Sequence, residues 1–415
     1  MAPLGSAAGI PMLKTIAVED LCVGMYLSAL EGSWLKNPFW KTARMLDKPD
    51  DVERIRHSGI AYAVIDIAKG CDVPAESEPA AADDAASAPT GIPQAVPGRV
   101  RAPPTSLQRE RKRAAQICME SRRAVVKMFG EARMGAALST ESANEVVDDI
   151  VESVFRNGSA LISLARLKTQ DDYTYMHSVS VCALMVALAK QMGLDEKAMH
   201  EAGFAGLTHD IGKMAIPGVI LNKPGKLTDA EFVTVKTHPE AGHQMLSQAG
   251  ILSDIALDFC LHHHEKMDGT GYPHRLAGDQ ISMYARMGAV CDVYDAITSN
   301  RPYKSGWGPA HSIKQMASWV DSHFDPTIFK AFVKAVGIYP VGTLVRLASN
   351  RLAVVVDQSE KSLLCPQVRA FFSCTSGTNI VPVLIDLAAP GERDKIASFE
   401  DAAAWGLENI DRFWL

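Results

Sequence analysis

The sequence lacks several features that would mark a membrane or secreted protein. No apolar run approaches the roughly 18 residues needed to cross a bilayer, and the longest candidate, residues 179–189, is stopped by Lys190. The eight cysteines form no CxxC pair and no compact disulfide pattern, which favours a reducing compartment. Residues 1–14 show no basic leader followed by an apolar segment. We therefore expect a cytoplasmic protein without a transmembrane segment or secretory signal.

A surplus of positive charge is also missing. The 415 residues include 42 Lys and Arg against 48 Asp and Glu, a formal net charge of −6. Because affinity for polymeric nucleic acid rests on surplus Lys and Arg, a nucleic-acid polymer is not an expected partner. The hydrophobic content of 47% is that of a globular protein long enough for two or three domains. An anionic ligand would have to be held by local positive groups.

Composition changes along the first third of the chain. Residues 12–73 mix short β-like runs with one helical stretch near Asp50–His57, which predicts a small α+β module with a regulatory or scaffolding role. Residues 74–105 are rich in Ala, Pro, Ser and Asp and almost free of bulky apolar side chains. Such a segment cannot bury enough surface to order itself, so we expect a disordered linker there.

The rest of the chain changes from helical to strand periodicity. Apolar residues recur at three- and four-residue spacing, which predicts connecting helices over 106–157 and an all-α domain over 158–337. From 338 to 415 the period becomes two, with a β-hairpin at Thr343–Leu347 and Leu352–Val356 and a further strand at Ile380–Ile385. The predicted fold class is mainly α, with a helical bundle between a small N-terminal α+β module and a small C-terminal β appendage.

Histidine and aspartate recur through the helical segment at spacings that suit one metal centre. Four histidines are 32, 29 and 25 residues apart and a fifth precedes an aspartate by 28 residues: His177, His209, His238 and His263, then His264 and Asp292. Such spacing can place ligands on successive helices of a bundle, with side chains projecting inward. Asp210 lies about 100° around a helix from His209, yet both can reach a metal cluster between their directions.

The donor set indicates which metals such a centre would take. Five imidazoles and two carboxylates without thiolate favour iron, manganese or zinc over Cu(I) or an iron–sulfur cluster. Seven ligands exceed what one tetrahedral zinc requires, so more than one metal is implied. A carboxylate such as Asp210 can bridge two metals roughly 3.5–4 Å apart, and such a pair acidifies water for attack on phosphorus. The expected chemistry is phosphoester hydrolysis.

Several motifs around these residues resemble a known family. The HD pair extends into HDIGK at 209–213, HHEKMDGTGYP follows at 263–273, and ILNKPGKLT at 220–228 and NRPYK at 300–304 accompany them. Over about residues 158–335 the sequence resembles the HD-GYP subgroup of the HD-domain metal-dependent phosphohydrolases, bacterial enzymes that open cyclic di-GMP. The N-terminal module is similar to the small domain of unclear function that precedes HD-GYP in one branch of the family.

Carried over residue by residue, the resemblance implies roles for the site. The implied metal ligands are His177, His209, Asp210, His238, His263, His264 and Asp292. Asp210 and Lys213 are the implied catalytic residues, the lysine contacting the scissile phosphate or supporting the leaving oxygen. The implied substrate-binding residues are Tyr272, on which a purine can stack, and Arg301 and Lys304, which hold phosphates.

Four neighbouring residues have no decided role. His262 lies outside the family's HHE and is left as a helix-surface histidine. Glu265, Asp268 and Asp295 either orient imidazoles or cap local structure.

The predicted function is a metal-dependent cyclic di-GMP phosphodiesterase that releases the linear dinucleotide, with further cleavage to GMP left open. Two divalent ions are the expected cofactors, with iron as the first choice and manganese or zinc as alternatives. One rival is an HD phosphohydrolase acting on another nucleotide or cyclic dinucleotide. The other is a non-hydrolytic cyclic di-GMP sensor, although its expected mark, loss of an HD or GYP residue, is absent. A homodimer, and signalling partners bound through the N-terminal module or the GYP loop, are compatible with each.

The number of metals depends on the residues before His177. Some family members carry a glutamate four residues before this ligand, where it can coordinate a third metal; here the position is Tyr173. A phenol with a pKa of about 10 is a poor ligand for a divalent cation near neutral pH. Asp172 lies about 140° around a regular helix from His177. A two-metal centre is therefore predicted.

Overall fold

The computed structural model describes residues 13–31, 44–56, 62–71, 105, 107–135, 138, 140–167, 173–251, 253–299, 306–359 and 361–415. Almost all of the predicted linker at 74–105 lies outside these residues, as do Asp172, Arg301 and Lys304. The chain forms two compact units, residues 1–100 and residues 101–415.

The N-terminal unit contains a four-stranded antiparallel sheet and a helix. The strands pair in the order β1-β4-β2-β3 and the helix lies between β3 and β4 in sequence. The elements are β1 (Leu13–Ala17), β2 (Tyr26–Glu31), β3 (Arg44–Met45), α1 (Pro49–Arg56) and β4 (Tyr62–Asp66). Leu27 and Ile65 from the sheet and Ile55 from α1 are fully buried in one core. The α+β character predicted from the short alternating runs is confirmed.

The second unit is mainly helical. Eleven α-helices occur in its described residues. They are α2 (Leu107–Arg133), α3 (Thr140–Ala165), α4 (Tyr173–Gln191), α5 (Glu196–Thr208), α6 (Gly218–Leu221), α7 (Asp229–Val235), α8 (His238–Gln248), α9 (Asp254–His262), α10 (Met283–Thr298), α11 (Pro309–Ala317) and α12 (Pro326–Val336). Polar side chains cap the N-termini of several helices. The Asp195 side chain accepts a hydrogen bond from the Ala198 amide at the start of α5, and the Ser282 side chain accepts one from the Ala285 amide at the start of α10.

Helix α4 runs through the centre of this bundle. Residues 176–189 are buried throughout, and α4 packs against α3, α5, α10 and α12. A helix that is apolar on all sides is stable only when neighbours cover every side, which explains the unbroken run at 179–189. Among the described residues, no helix combines the length and the apolar character that crossing a membrane requires.

The chain ends in a five-stranded antiparallel sheet in the order β8-β7-β6-β5-β9. Its strands are β5 (Leu344–Leu347), β6 (Arg351–Asp357), β7 (Gln367–Ser373), β8 (Thr378–Asp386) and β9 (Ile396–Phe399). The predicted hairpin corresponds to β5 and β6. Strand β6 is buried on both faces, because Trp414 and the residues around it cover one of them. The sequence did not predict β7 and β9, so the appendage is larger than expected, while the mainly α fold class is confirmed.

Candidate metal centre

Five helices bring the seven predicted ligands together. His177 lies on α4, His209 and Asp210 follow the end of α5, and His238 begins α8. His263 and His264 follow the end of α9, and Asp292 lies in the middle of α10. All are buried except His264, which is partly exposed. The centre is therefore built mainly from helix ends, where the backbone can turn adjacent side chains to the same point.

Close backbone packing holds the HD turn against α8. A Cβ atom on Gly212 would lie 1.9 Å from the His238 carbonyl oxygen and 2.4 Å from the Gly242 amide nitrogen. Only glycine fits this approach, because the atoms that would be displaced are backbone. The Cys260 thiol of α9 also donates to the His209 carbonyl oxygen at 3.2 Å. These contacts fix three ligand-bearing segments relative to one another.

Three groups of potential ligand atoms lie close together. Two share no residue, and we name them the α8–α9 trio (His238, His263 and His264) and the α4–α10 trio (His177, His209 and Asp292). The third consists of His209, Asp210 and His263 and so connects the two trios. Within each trio the potential ligand atoms all lie within 4.8 Å of one another. Three such donors around one point are enough to hold a first-row divalent metal.

Asp210 lies between the two trios. Its Oδ1 atom is 3.4 Å from Nε2 of His238 and 3.9 Å from Nε2 of His263. Its Oδ2 atom is 3.4 Å from Nε2 of His209 and 3.5 Å from Nε2 of His177. One carboxylate oxygen therefore faces each trio, which is the arrangement a bridging carboxylate requires.

The imidazole tautomers are set by the backbone. Nδ1 of His209, His238 and His263 lies 2.8, 2.8 and 2.9 Å from the carbonyl oxygens of residues 206, 235 and 260. A carbonyl oxygen only accepts, so each Nδ1 must carry the proton and each Nε2 must present a lone pair. Nε2 of His238 and Nε2 of His263 are 3.3 Å apart. Two lone pairs at this distance repel one another unless a cation lies between them.

Two buried polar atoms supply a further test of the fit to metal. Nε2 of His209 and Oδ1 of Asp210 are buried and have no hydrogen-bond partner among the described residues. Leaving such atoms unpaired costs roughly 1–3 kcal/mol each, more for the charged group. A metal ion in each trio would coordinate both atoms, so the residues present fit a metal centre.

Charge states also suit metal binding. Burial lowers the pKa of His238 to about 4, and burial together with the His264 and His209 imidazoles holds the pKa of His263 well below its ordinary value. Burial opposes ionisation of Asp210, but His209 and Lys213 hold the pKa of its carboxyl group well below the usual range. Near neutral pH His238 and His263 are therefore neutral imidazoles and Asp210 is an ionised carboxylate, the forms that coordinate metals.

His177 is oriented by a carboxylate that is not one of the seven. Its Nδ1 atom lies 2.6 Å from Oδ2 of Asp295, which leaves Nε2 facing the centre at 2.9 Å from Oδ1 of Asp292. Burial opposes protonation of His177, yet its hydrogen bonds to Asp292 and Asp295 raise its pKa. Of the two roles considered for Asp295, the structure shows the contact of an imidazole-orienting partner.

Substituting Asp295 by asparagine is expected to weaken metal binding about 10- to 100-fold, because the charge that orients His177 and increases its basicity is lost. The measurement is titration of the metal-depleted protein with Fe²⁺ or Mn²⁺ under anaerobic conditions. Asp279→Asn is the control, since the Asp279 side chain is fully exposed. Equal affinities in the two variants would show that Asp295 does not support the centre.

The predicted catalytic lysine and one of the three predicted substrate-binding residues lie beside the centre. Lys213 Nζ donates to Oδ2 of Asp210, so its ammonium faces the centre beside this carboxylate. The Tyr272 ring packs 4.7 Å, centroid to centroid, from the ring of His264. The contacts of Arg301 and Lys304 fall outside the described residues.

Glu265 and Asp268 stabilise local structure, the second of the two roles considered for them. The buried Glu265 carboxylate accepts from the amides of His274 and Leu276 at 2.7 and 3.1 Å, and so holds the loop after the GYP motif. Asp268 accepts from the amide and hydroxyl of Thr270 and closes a turn. In the described structure neither carboxylate is shown contacting an imidazole of the two trios.

His262 is more than a surface histidine, although it lies outside both trios. Its Nδ1 donates to Asp258 at 2.8 Å, and its Nε2 is 3.0 Å from Nδ1 of His274. The first of the three consecutive histidines thus connects α9 to the loop that follows the GYP motif, a role that the sequence pattern did not indicate.

Comparisons with known proteins agree with this architecture. The family described as HD domain matches residues 155–328, and a domain of unknown function, DUF3391, matches residues 13–143. A cyclic di-GMP phosphodiesterase of Pseudomonas aeruginosa is 52% identical over 404 residues, which cover 97% of this chain and 96% of that protein. The cyclic di-GMP phosphodiesterase response regulator RpfG of Xanthomonas campestris pv. campestris is 38% identical over 148 residues, 35% of this chain and 39% of that protein.

The chain is also similar to a more distant relative and, weakly, to one solved structure. The 3'3'-cGAMP-specific phosphodiesterase 3 of Vibrio cholerae is 34% identical over 168 residues, 40% of this chain and 36% of that protein. The solved structure described as a HDG"Y"P protein from Bdellovibrio bacteriovorus aligns with a TM-score of 0.44 at 16% identity, covering 78% of this chain and 99% of that one. The 52% identity over nearly the whole length of both proteins is decisive: the chain belongs to the HD-GYP family of metal-dependent cyclic di-GMP phosphodiesterases, with DUF3391 as its N-terminal domain.

Proposed function

We propose that this protein hydrolyses one phosphodiester bond of cyclic di-GMP to give the linear dinucleotide, using two divalent metal ions, with iron as the first choice. The observation that carries the proposal is the position of Asp210, whose two oxygens each face a different trio of donors. Homology to cyclic di-GMP phosphodiesterases supports the choice of substrate.

Each trio would hold one ion, with Asp210 shared between them. Two such ions supply Lewis acidity to the phosphoryl group and to water. The chain's own residues keep this arrangement fixed before substrate arrives: backbone carbonyls set the Nε2 lone pairs, Asp295 orients His177, and Lys213 keeps Asp210 ionised. Because these groups are rigidly placed, little reorganisation is needed when charge develops in the transition state.

Lys213 and Tyr272 give the centre its substrate contacts. The Lys213 ammonium lies beside Asp210, where it can neutralise charge on the scissile phosphate or on the leaving oxygen. Tyr272 lies against His264 at the edge of the α8–α9 trio, and a purine can stack on the part of its ring that His264 leaves free. Arg301 and Lys304 are proposed to hold phosphate on the evidence of the sequence motif alone.

Two metals, rather than three, fit the donors that the structure describes. The seven residues supply two trios without a common member, and the third group, His209, Asp210 and His263, takes its two histidines from these trios and adds only the shared carboxylate. A third ion would need a donor near the start of α4, where Tyr173 stands in place of an acidic residue. We further propose that the N-terminal unit regulates or scaffolds the catalytic domain, and that signalling partners bind through this unit or the GYP loop.

A comparison of substrates tests the proposed function. Anaerobically purified protein would be assayed with cyclic di-GMP, 3'3'-cGAMP and the linear dinucleotide pGpG, with Asp210→Asn as the inactive control. Faster cleavage of cyclic di-GMP than of the other two, and none by the control, is the expected result. Preferential cleavage of 3'3'-cGAMP would show that 3'3'-cGAMP, and not cyclic di-GMP, is the substrate. Binding of cyclic di-GMP without turnover would indicate a sensor.

A further inference from the structure

Lys236, at the end of α7, has its ammonium near the faces of two aromatic rings. Its Nζ atom is 5.1 Å from the centroid of the Phe232 ring and 6.0 Å from the centroid of the Tyr272 ring. Phe232 lies one helical turn earlier on the same element, whereas Tyr272 belongs to the loop that carries the GYP motif. The ammonium therefore bridges two separate segments of the chain.

This position places Lys236 at the edge of the metal centre. It lies two residues before His238, and Tyr272 packs directly on His264, so both of its neighbouring segments carry a member of the α8–α9 trio. A contact made only within α7 would be an ordinary pairing of residues four apart on a helix, in which the lysine stem covers an apolar ring. The contact with Tyr272 from a different segment is not explained in this way.

The charge of Lys236 is not neutralised. In the part of the chain that the structure describes, its side chain forms no ion pair or hydrogen bond, and its only contacts of this kind are the two rings. Two other lysines of this region differ: Lys213 pairs with Asp210, and Lys223 pairs with Glu231. Phe232 is 48% exposed, so the wall that carries the ammonium is open to solvent. An unpaired cation on an open aromatic wall is suited to an anion that also carries planar bases.

We propose that Lys236 is a further substrate-binding residue, whose ammonium contacts the phosphate of the cyclic dinucleotide that is not being cleaved. This inference rests on the proposed function. A cyclic dinucleotide carries two phosphates on one closed ring, so the second phosphate stays close to the centre while the first occupies it. Lys213 and Asp210 serve the first. Lys236 lies against Tyr272, which packs on His264, so the second phosphate and a flanking base can reach it beside the centre.

The test compares Lys236→Met and Lys236→Arg with Lys197→Met. Lys197 is the matched control because its side chain is 87% exposed and it lies at the start of α5, the end away from His209. Lys236→Met is expected to raise KM for cyclic di-GMP about 10- to 100-fold, the effect of losing a charge-assisted hydrogen bond. The kcat value should change less, and Lys236→Arg should restore most of the binding. Thermal unfolding of all three variants shows whether they are folded.

A substrate with only one phosphate shows whether Lys236→Met weakens binding of the uncleaved phosphate or disturbs the whole site. Bis(p-nitrophenyl) phosphate has a single phosphate, so the rise in KM caused by Lys236→Met should be smaller for it by a factor of about five or more. Equal rises for both substrates, or a KM for cyclic di-GMP equal to that of Lys197→Met, would overturn the inference. If the wild-type enzyme cleaves a different cyclic dinucleotide, the proposed substrate is wrong, and the same comparison made with that dinucleotide decides the role of Lys236.

Discussion

Replacing Asp210 by asparagine is expected to lower the turnover of cyclic di-GMP by at least about a thousandfold, equivalent to about 4 kcal/mol of transition-state stabilisation. The amide keeps the size of the carboxylate but has one acceptor oxygen in place of two and no charge. It can therefore no longer face both trios, which Asp210 approaches with one oxygen each. Metal content should fall together with activity.

Elemental analysis and turnover of the same anaerobic preparation measure both effects. Far-ultraviolet circular dichroism shows whether the helices are retained, as expected for a change of one buried polar group without change of volume. Asp279→Asn is the control for a surface carboxylate, because the Asp279 side chain is fully exposed. Turnover near the wild-type value in Asp210→Asn with metal retained would show that the shared carboxylate is not needed for catalysis.

Gly212→Ala is expected to have the second-largest effect. The added Cβ atom would lie 1.9 Å from the His238 carbonyl oxygen, so α8 must move away from the HD turn. His238 would then move away from His263 and from Oδ1 of Asp210. A displacement of about 1 Å at a catalytic centre can cost about 100-fold in rate, and overpacking lowers the free energy of unfolding by about 1–3 kcal/mol.

The matched control for this substitution is Gly218→Ala. Gly218 begins α6, six residues further along, and a Cβ atom there would meet its nearest neighbour, Nδ2 of Asn222, at 3.9 Å. Turnover, metal content and thermal unfolding of the two variants would be compared. If Gly212→Ala retained wild-type turnover and metal affinity, the position of α8 would not depend on this backbone contact.

The ligand residues could be predicted from the sequence because they recur at regular intervals and lie in short recognisable motifs. Histidines and aspartates stood at regular intervals in an otherwise apolar helical segment, and the structure brings all seven to one place. Their identity as metal ligands remains a prediction supported by the geometry. The hydrogen bond between Asp295 and His177 joins residues 118 positions apart, so a periodic pattern could not reveal which acidic residue makes it.

Other features depend on packing between segments that the sequence does not place side by side. Gly212 occurs in a short motif, and only the approach of the HD turn to α8 shows why it cannot carry a side chain. From the sequence Lys236 would be taken for a solvated lysine, and only the structure shows that Tyr272 of the GYP loop lies beside it. The strand β7 was not predicted because its pairing with β6 and β8 is interrupted by irregular registers.

Metal stoichiometry tests the centre formed by the two trios and Asp210 most directly. Anaerobically purified protein would be analysed for metal content, and crystals of it measured by anomalous diffraction at the iron edge. The arrangement of donors predicts two ions per chain, one in the α8–α9 trio and one in the α4–α10 trio, with Asp210 in contact with both. A fully active enzyme with one ion, or with three fully occupied sites, would contradict this centre.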